Sequence, residues 1–210
     1  MRLACVLVVA AGMAFGGILM TASALAGEAD PYAGAAAAKA KADAAVREVS
    51  AALDATRTAY GAAWQELDSI ATKIDAAFNE GRAAEGKKAE KADQHFITAC
   101  EQKRVASRNA YDALIQVPPF GRRTMADGKL GNATTEFSYA SNSLNNIRSL
   151  EDWWKAGKMD AGLLAGIYAA IEKRVFECRD QAAAVVNEVK AVKAEWDGRL
   201  AEAQKFVAGR

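Results

Sequence analysis

From Asp160 to Ala208 the sequence carries one unbroken apolar stripe, and a partner helix of similar length is needed to cover it. Leu164, Ile167 or Tyr168, Ile171, Val175, Cys178, Ala182, Val185, Val189, Val192, Trp196, Leu200, Ala203 and Phe206 or Val207 follow in steps of three and four. That spacing keeps them on one side of an α-helix, which at 1.5 Å per residue is roughly 70 Å long. A helix of that length exceeds the width of a compact domain of 210 residues, so the stripe predicts an elongated all-α bundle.

The partner is legible upstream. Val46, Val49, Leu53, Tyr60, Trp64, Leu67, Ile70, Ile74 and Phe78 repeat the same steps and predict a first helix from Ala35 to about Asn79. Before Val46 its apolar residues are nearly all alanine, which favours helix because no side-chain entropy is lost. Two shorter segments lie between. Lys87–Gln116 reads as a second helix ended by Val117-Pro118-Pro119, since proline lacks the amide proton and clashes with the preceding turn. Val117–Ala133, with Gly121, Gly128 and Gly131, reads as a long loop. A third helix is expected from Asn132 or Thr134 to about Ala156, with Gly157 ending it and Asp160 capping the last helix. The sum is an antiparallel four-helix bundle forming a single domain over residues 35–210. Both chain ends fall at one end of the rod, and residues 35–50 pair with 193–208 as a coiled-coil-like stalk.

Residues 1–26 have a different character. Arg2, an apolar run from Leu3 to Met20 and the ending Ala24-Leu25-Ala26 match a cleavable secretory signal, and residues 27–34 follow as a short flexible tail. The run is also near the lower length for a bilayer span, so an uncleaved N-terminal anchor is the alternative. The chain is therefore expected to be periplasmic or secreted. In that compartment an even pair of cysteines reads as a disulfide, and Cys100–Cys178 would close a loop of about eighty residues, contributing on the order of 4 kcal/mol.

The charge balance bears on the partners. Of 27 basic and 26 acidic residues, the signal holds one basic residue, Arg2, leaving 26 of each. A balanced surface lacks the cationic excess that phosphate backbones require, so no nucleic acid is expected as partner. The residues for catalysis are equally sparse. His95 is the only histidine, too few for a carboxylate di-iron bundle or a catalytic zinc site. Covalent haem needs a Cys-x-x-Cys-His motif, which is absent. Neither an enzyme nor a resident cofactor or metal is expected. Asn132-Ala133-Thr134 is a glycosylation acceptor pattern that has meaning in a eukaryotic source.

Two features are left as candidate partner-binding surfaces. One is the loop, through Phe120, Arg122 and Arg123, with Leu130 as a second exposed apolar residue. The other is Trp153-Trp154: neighbours on a helix point about 100° apart, so at most one tryptophan faces the core and the other is peripheral. In build the chain resembles small exported bundles of bacterial envelope and secretion systems, a likeness of architecture that rests on no motif. The expectation is a non-enzymatic structural, adaptor or surface-binding protein that acts through contacts with other proteins. The alternatives are an extended surface receptor and a bundle holding haem or another small ligand near Trp64, Trp153 and Tyr168.

Overall fold

The computed structural model describes Asp30 and residues 32–116, 121–147 and 150–209. The expected signal, half of the short tail (residues 27–29 and 31), Phe120 and the side chain of Trp154 lie outside these residues. From Tyr32 onward the chain is one compact helical unit. Its helices are α1 (Ala33–Gly86), α2 (Gln94–Ile115), α3 (Arg122–Ile147), the short α4 (Glu151–Lys155) and α5 (Ala161–Ala208).

The unit is the all-α bundle that the periodicity predicts, with α1 and α5 packed along each other. The buried residues of α5 run Leu164, Tyr168, Ile171, Val175, Cys178, Ala182, Val185, Val189, Trp196 and Ala203, nearly the whole stripe read from the sequence. The alanine-rich start of α1 packs tightly: Ala35, Ala42 and Ala45 are all 2% exposed or less. Small side chains there let the two helices approach closely.

The direction of the pairing differs from the expectation. Tyr32 donates its hydroxyl to the Met159 carbonyl at 3.1 Å. Further up, Glu48 pairs with Arg179 at 3.3 Å and Glu66 with Lys193 at 3.5 Å. A Cβ on Gly81 would lie 2.9 Å from Val207. The offset between partners stays near 127, so α1 and α5 run parallel and in register. The predicted stalk of residues 35–50 with 193–208 is therefore not formed: the first segment lies beside the start of α5, the second beside the end of α1.

The middle helices explain why. Phe96 stacks on Phe206 at 5.4 Å and Tyr111 meets Trp196 edge-on at 5.5 Å, so α2 descends along the upper half. Arg122 then pairs with Glu195, Lys129 with Glu188 and Glu136 with Arg174, so α3 continues downward along the lower half. The 22 residues of α2 and 26 of α3 together equal the 48 of α5. Placed end to end, they cover the apolar seam of the long pair over its whole length, which a reversal between them would leave bare. In cross-section the rod has three helices. Residue 32 lies at its base and residue 209 at its top.

Two segments read as irregular are helical. The helix α1 continues past its expected end at Asn79 to Gly86, while residues 87–93, expected to begin the second helix, form the turn before Asp93 caps α2 by accepting from the backbone N–H groups of His95 and Phe96. The expected loop 117–133 is largely α3, because Ala126, Leu130, Ala133, Ala140, Leu144 and Ile147 bury one stripe at helical spacing. That burial outweighs the roughly 1 kcal/mol each that Gly128 and Gly131 cost a helix. Thr134, Ser138 and Ser143 donate their hydroxyls to carbonyls four residues back, so these weak helix formers are satisfied within the helix. Asp160 caps α5 as predicted, accepting from Leu163 N–H at 2.7 Å, and Gly157 ends α4 with a φ of +70°.

Cys100 and Cys178 do not form the expected disulfide. Both are buried, but on different levels of the rod. Cys100 lies one turn after Phe96, which stacks on Phe206, near the top. Cys178 lies beside Arg179, the partner of Glu48, in the lower half. About 25 residues of α5 separate the two levels, roughly 35 Å, whereas a disulfide needs Cα atoms within about 7 Å.

Candidate functional site

Two of the residues singled out for recognition, Arg122 and Arg123, open α3 at the waist, where α2 gives way to it. Gly121 is required there, since a Cβ on it would overlap the Gln116 carbonyl. The Gln116 carbonyl also accepts from the Thr124 hydroxyl at 3.2 Å, holding the start of α3 against the end of α2.

Both expected cationic contacts are engaged within the fold. Arg122 reaches Glu195 at 3.1 Å, and this hydrogen bond holds the Glu195 carboxyl below the usual carboxylate range, against its desolvation. Arg123 lies over the Trp64 ring at 5.3 Å, a cation–π contact. Beneath it the Tyr60 hydroxyl donates to the Asp127 carboxylate. Burial, reinforced by that bond, pushes the Tyr60 phenol well above its ordinary value. Leu130, expected to be exposed, is buried against the long pair.

Between α3 and α5 the waist holds a cleft of about 110 Å³, floored by Trp64, Ala126, Val189 and Val192 and rimmed by Met125 and Lys129. Lys129 grips both carboxylate oxygens of Glu188 at 2.8 Å. Met125 is 59% exposed, a large apolar side chain left open to solvent at the waist. Loop reading directed attention to Phe120, and only the helical register of α3 separates exposed Met125 from buried Ala126 and Leu130.

Trp153 is 58% exposed, the peripheral aromatic that the neighbouring-residue argument requires, with Lys158 over its ring at 5.7 Å. It lies at the base, far from the waist, so the two expected surfaces are separate. Trp64, Trp153 and Tyr168 likewise do not share a pocket. Tyr168 lines a different cleft with Ala35, Lys39, Asp43 and Glu151, and Trp64 lies about 35 Å higher along α1, by helical rise.

His95 is exposed in the first turn of α2. Among the described residues, no three or more His, Cys, Asp or Glu side chains come together to hold a metal ion. Among the same residues no helix is long and apolar enough to cross a membrane.

Comparison with protein-family models, curated proteins and solved structures finds no match.

Proposed function

We propose that the protein is an exported, non-enzymatic rod, directed across a membrane by residues 1–26, that acts by protein–protein contact as a structural, adaptor or surface-binding component of the cell envelope. The observation that carries this reading is the parallel register of α1 and α5. It gives a three-helix rod about 70 Å long whose first and last described residues lie at opposite ends, so the chain spans a distance rather than enclosing a site.

The surface agrees with such a role. Interhelical ion pairs such as Arg122–Glu195, Lys129–Glu188 and Arg174–Glu136 are all more than a third exposed. Pairs of this kind contribute little stability; their use is to fix which helix faces which. The rod is thus held by its apolar seam, and its side surface stays available to partners at Met125 on the waist and Trp153 at the base.

Photoreactive residues at Met125, Tyr139 and Trp153, introduced singly and irradiated in the native host, test the reading. The expected result is one reproducible crosslinked protein from one of these positions and not from a control at Lys87. Uniform labelling from all four, or none from any, would contradict it. N-terminal sequencing tests export separately: a mature chain beginning at Gly27 is the expected product of signal removal.

A further inference from the structure

We propose that the outward face of α3 binds a second copy of this chain, in an antiparallel two-fold pair where Tyr139 of each copy fills a hollow at Gly128 and Gly131 of the other. The second copy is a partner additional to the envelope component proposed above, and the inference holds with or without export.

The face is defined by its flanks. The five charged residues of α3 are all engaged to one side or the other. Arg122, Lys129 and Glu136 pair with Glu195, Glu188 and Arg174 of α5. Asp127 accepts from Tyr60, and Arg123 lies over Trp64, both on α1. Between these flanks Ala126, Leu130, Ala133, Ala140 and Leu144 are buried. On the side away from the long pair stand Gly128, Asn132, Thr135, Tyr139, Asn142 and Asn146, all exposed. Their spacing of three and four residues keeps them on one face. Charged residues make up 25% of the chain, yet this face has none.

Interface centres are poor in charge and rich in tyrosine, and tyrosine, asparagine, serine and glycine together combine contact area with adaptable hydrogen bonding. Tyr139, at 64%, is the most exposed large apolar side chain among the described residues. Two turns before it, Gly128, Gly131, Asn132 and Thr135 stand at i, i+3, i+4 and i+7. They are the corners of a hole of the kind that receives a side chain from a facing helix. A Cβ at either glycine would meet nothing within 4 Å, so the hole is shallow-walled and open to a large side chain. Knob and hole lie on one face, about 11 Å apart along the helix. A two-fold axis beside Thr135 therefore seats both knobs in both holes at once. Such an isologous contact brings the same patch against itself, where a face carrying charge of one sign would repel its copy. This face does not, and it already holds both halves of the fit.

The contact is small. The 26 residues of α3 span about 39 Å, and a strip one helix diameter wide covers roughly 450 Å² on each copy. The total of roughly 900 Å² falls short of the ~1,200 Å² at which stable interfaces begin, so the pair is reversible and dissociates in the micromolar range.

Sedimentation velocity of the purified protein across the micromolar range tests this. The expected result is a monomer–dimer equilibrium whose Kd changes less than about twofold with added salt, since no unpaired charges are brought together. Tyr139→Ala should raise the Kd at least about tenfold, and Gly131→Lys should leave only monomer, with unchanged circular dichroism showing that both variants are folded. Thr135→Cys, at the axis, should give a disulfide-linked dimer under mild oxidation. Asn146→Cys, roughly 30 Å from its counterpart, should not, and linkage there would overturn the antiparallel arrangement. Dimers that survive both Tyr139→Ala and Gly131→Lys would overturn the assignment to this face. A protein monomeric throughout would overturn the proposal while leaving the envelope-partner reading standing.

Discussion

Gly61 and Gly81 show how one residue type acquires two meanings from its neighbours. Both interrupt α1, but a Cβ at 61 would meet nothing within 4 Å, whereas at 81 it would press on Val207 at 2.9 Å. Gly61→Ala should therefore stabilise the protein by about 1 kcal/mol through helix propensity. Gly81→Ala should yield none of that gain, because the last turn of α5 must shift. Thermal unfolding of the two variants side by side checks this. Tyr60 supplies a second residue-scale expectation. A phenol whose pKa is raised on folding stabilises the fold fully below its unfolded value near 10, and the contribution fades as pH rises above it. Tyr60→Phe should cost about 1 kcal/mol near pH 8, where the bond to Asp127 is lost. The gap between variant and parent should narrow in melts above pH 10.

At the scale of elements, α3 is where reading the sequence and folding it part company. The glycines and the Ser/Asn content between residues 121 and 146 are local signals against helix, and by themselves they favour a loop. The apolar spacing from Ala126 through Leu130 and Ala133 to Ala140 is a non-local signal, whose value appears only when α1 and α5 are present to bury it. The long helices were legible because their stripes are built from large residues over many turns; α3 is built largely from alanine and leucine separated by weak formers. The helical register has a measurable consequence. Gly128→Ala should stabilise by about 1 kcal/mol, since nothing lies within 4 Å of the added methyl. Leu130→Ala should destabilise by about 2–5 kcal/mol. Were 117–133 a surface loop, both changes would be nearly silent in denaturant melts. The candidate surfaces followed the same pattern: the exposure of one residue of the Trp153–Trp154 pair was deducible from helix geometry alone. Met125 was not, because its exposure depends on the register of a helix that local signals conceal.

For the helical unit as a whole, the sequence contains the lengths of the helices but not their directions. Each break in periodicity is equally compatible with a reversal or a continuation, and only the geometry of the shared seam selects continuation at residues 116–121. The expected disulfide failed for the same reason: parity and compartment say that two cysteines can pair, while the level of each on the rod decides whether they meet. Melting in the presence and absence of reductant should give the same midpoint, whereas a Cys100–Cys178 bond would show a loss on reduction. The parallel register of α1 and α5 is the claim on which the spacer reading and the position of the base both depend. Distances between spin labels on non-natural residues at exposed Ala40, Ala170 and Glu202 measure it directly. Parallel helices predict a separation below about 25 Å for 40–170 and about 50 Å for 40–202. A short 40–202 distance with a long 40–170 distance would contradict the arrangement.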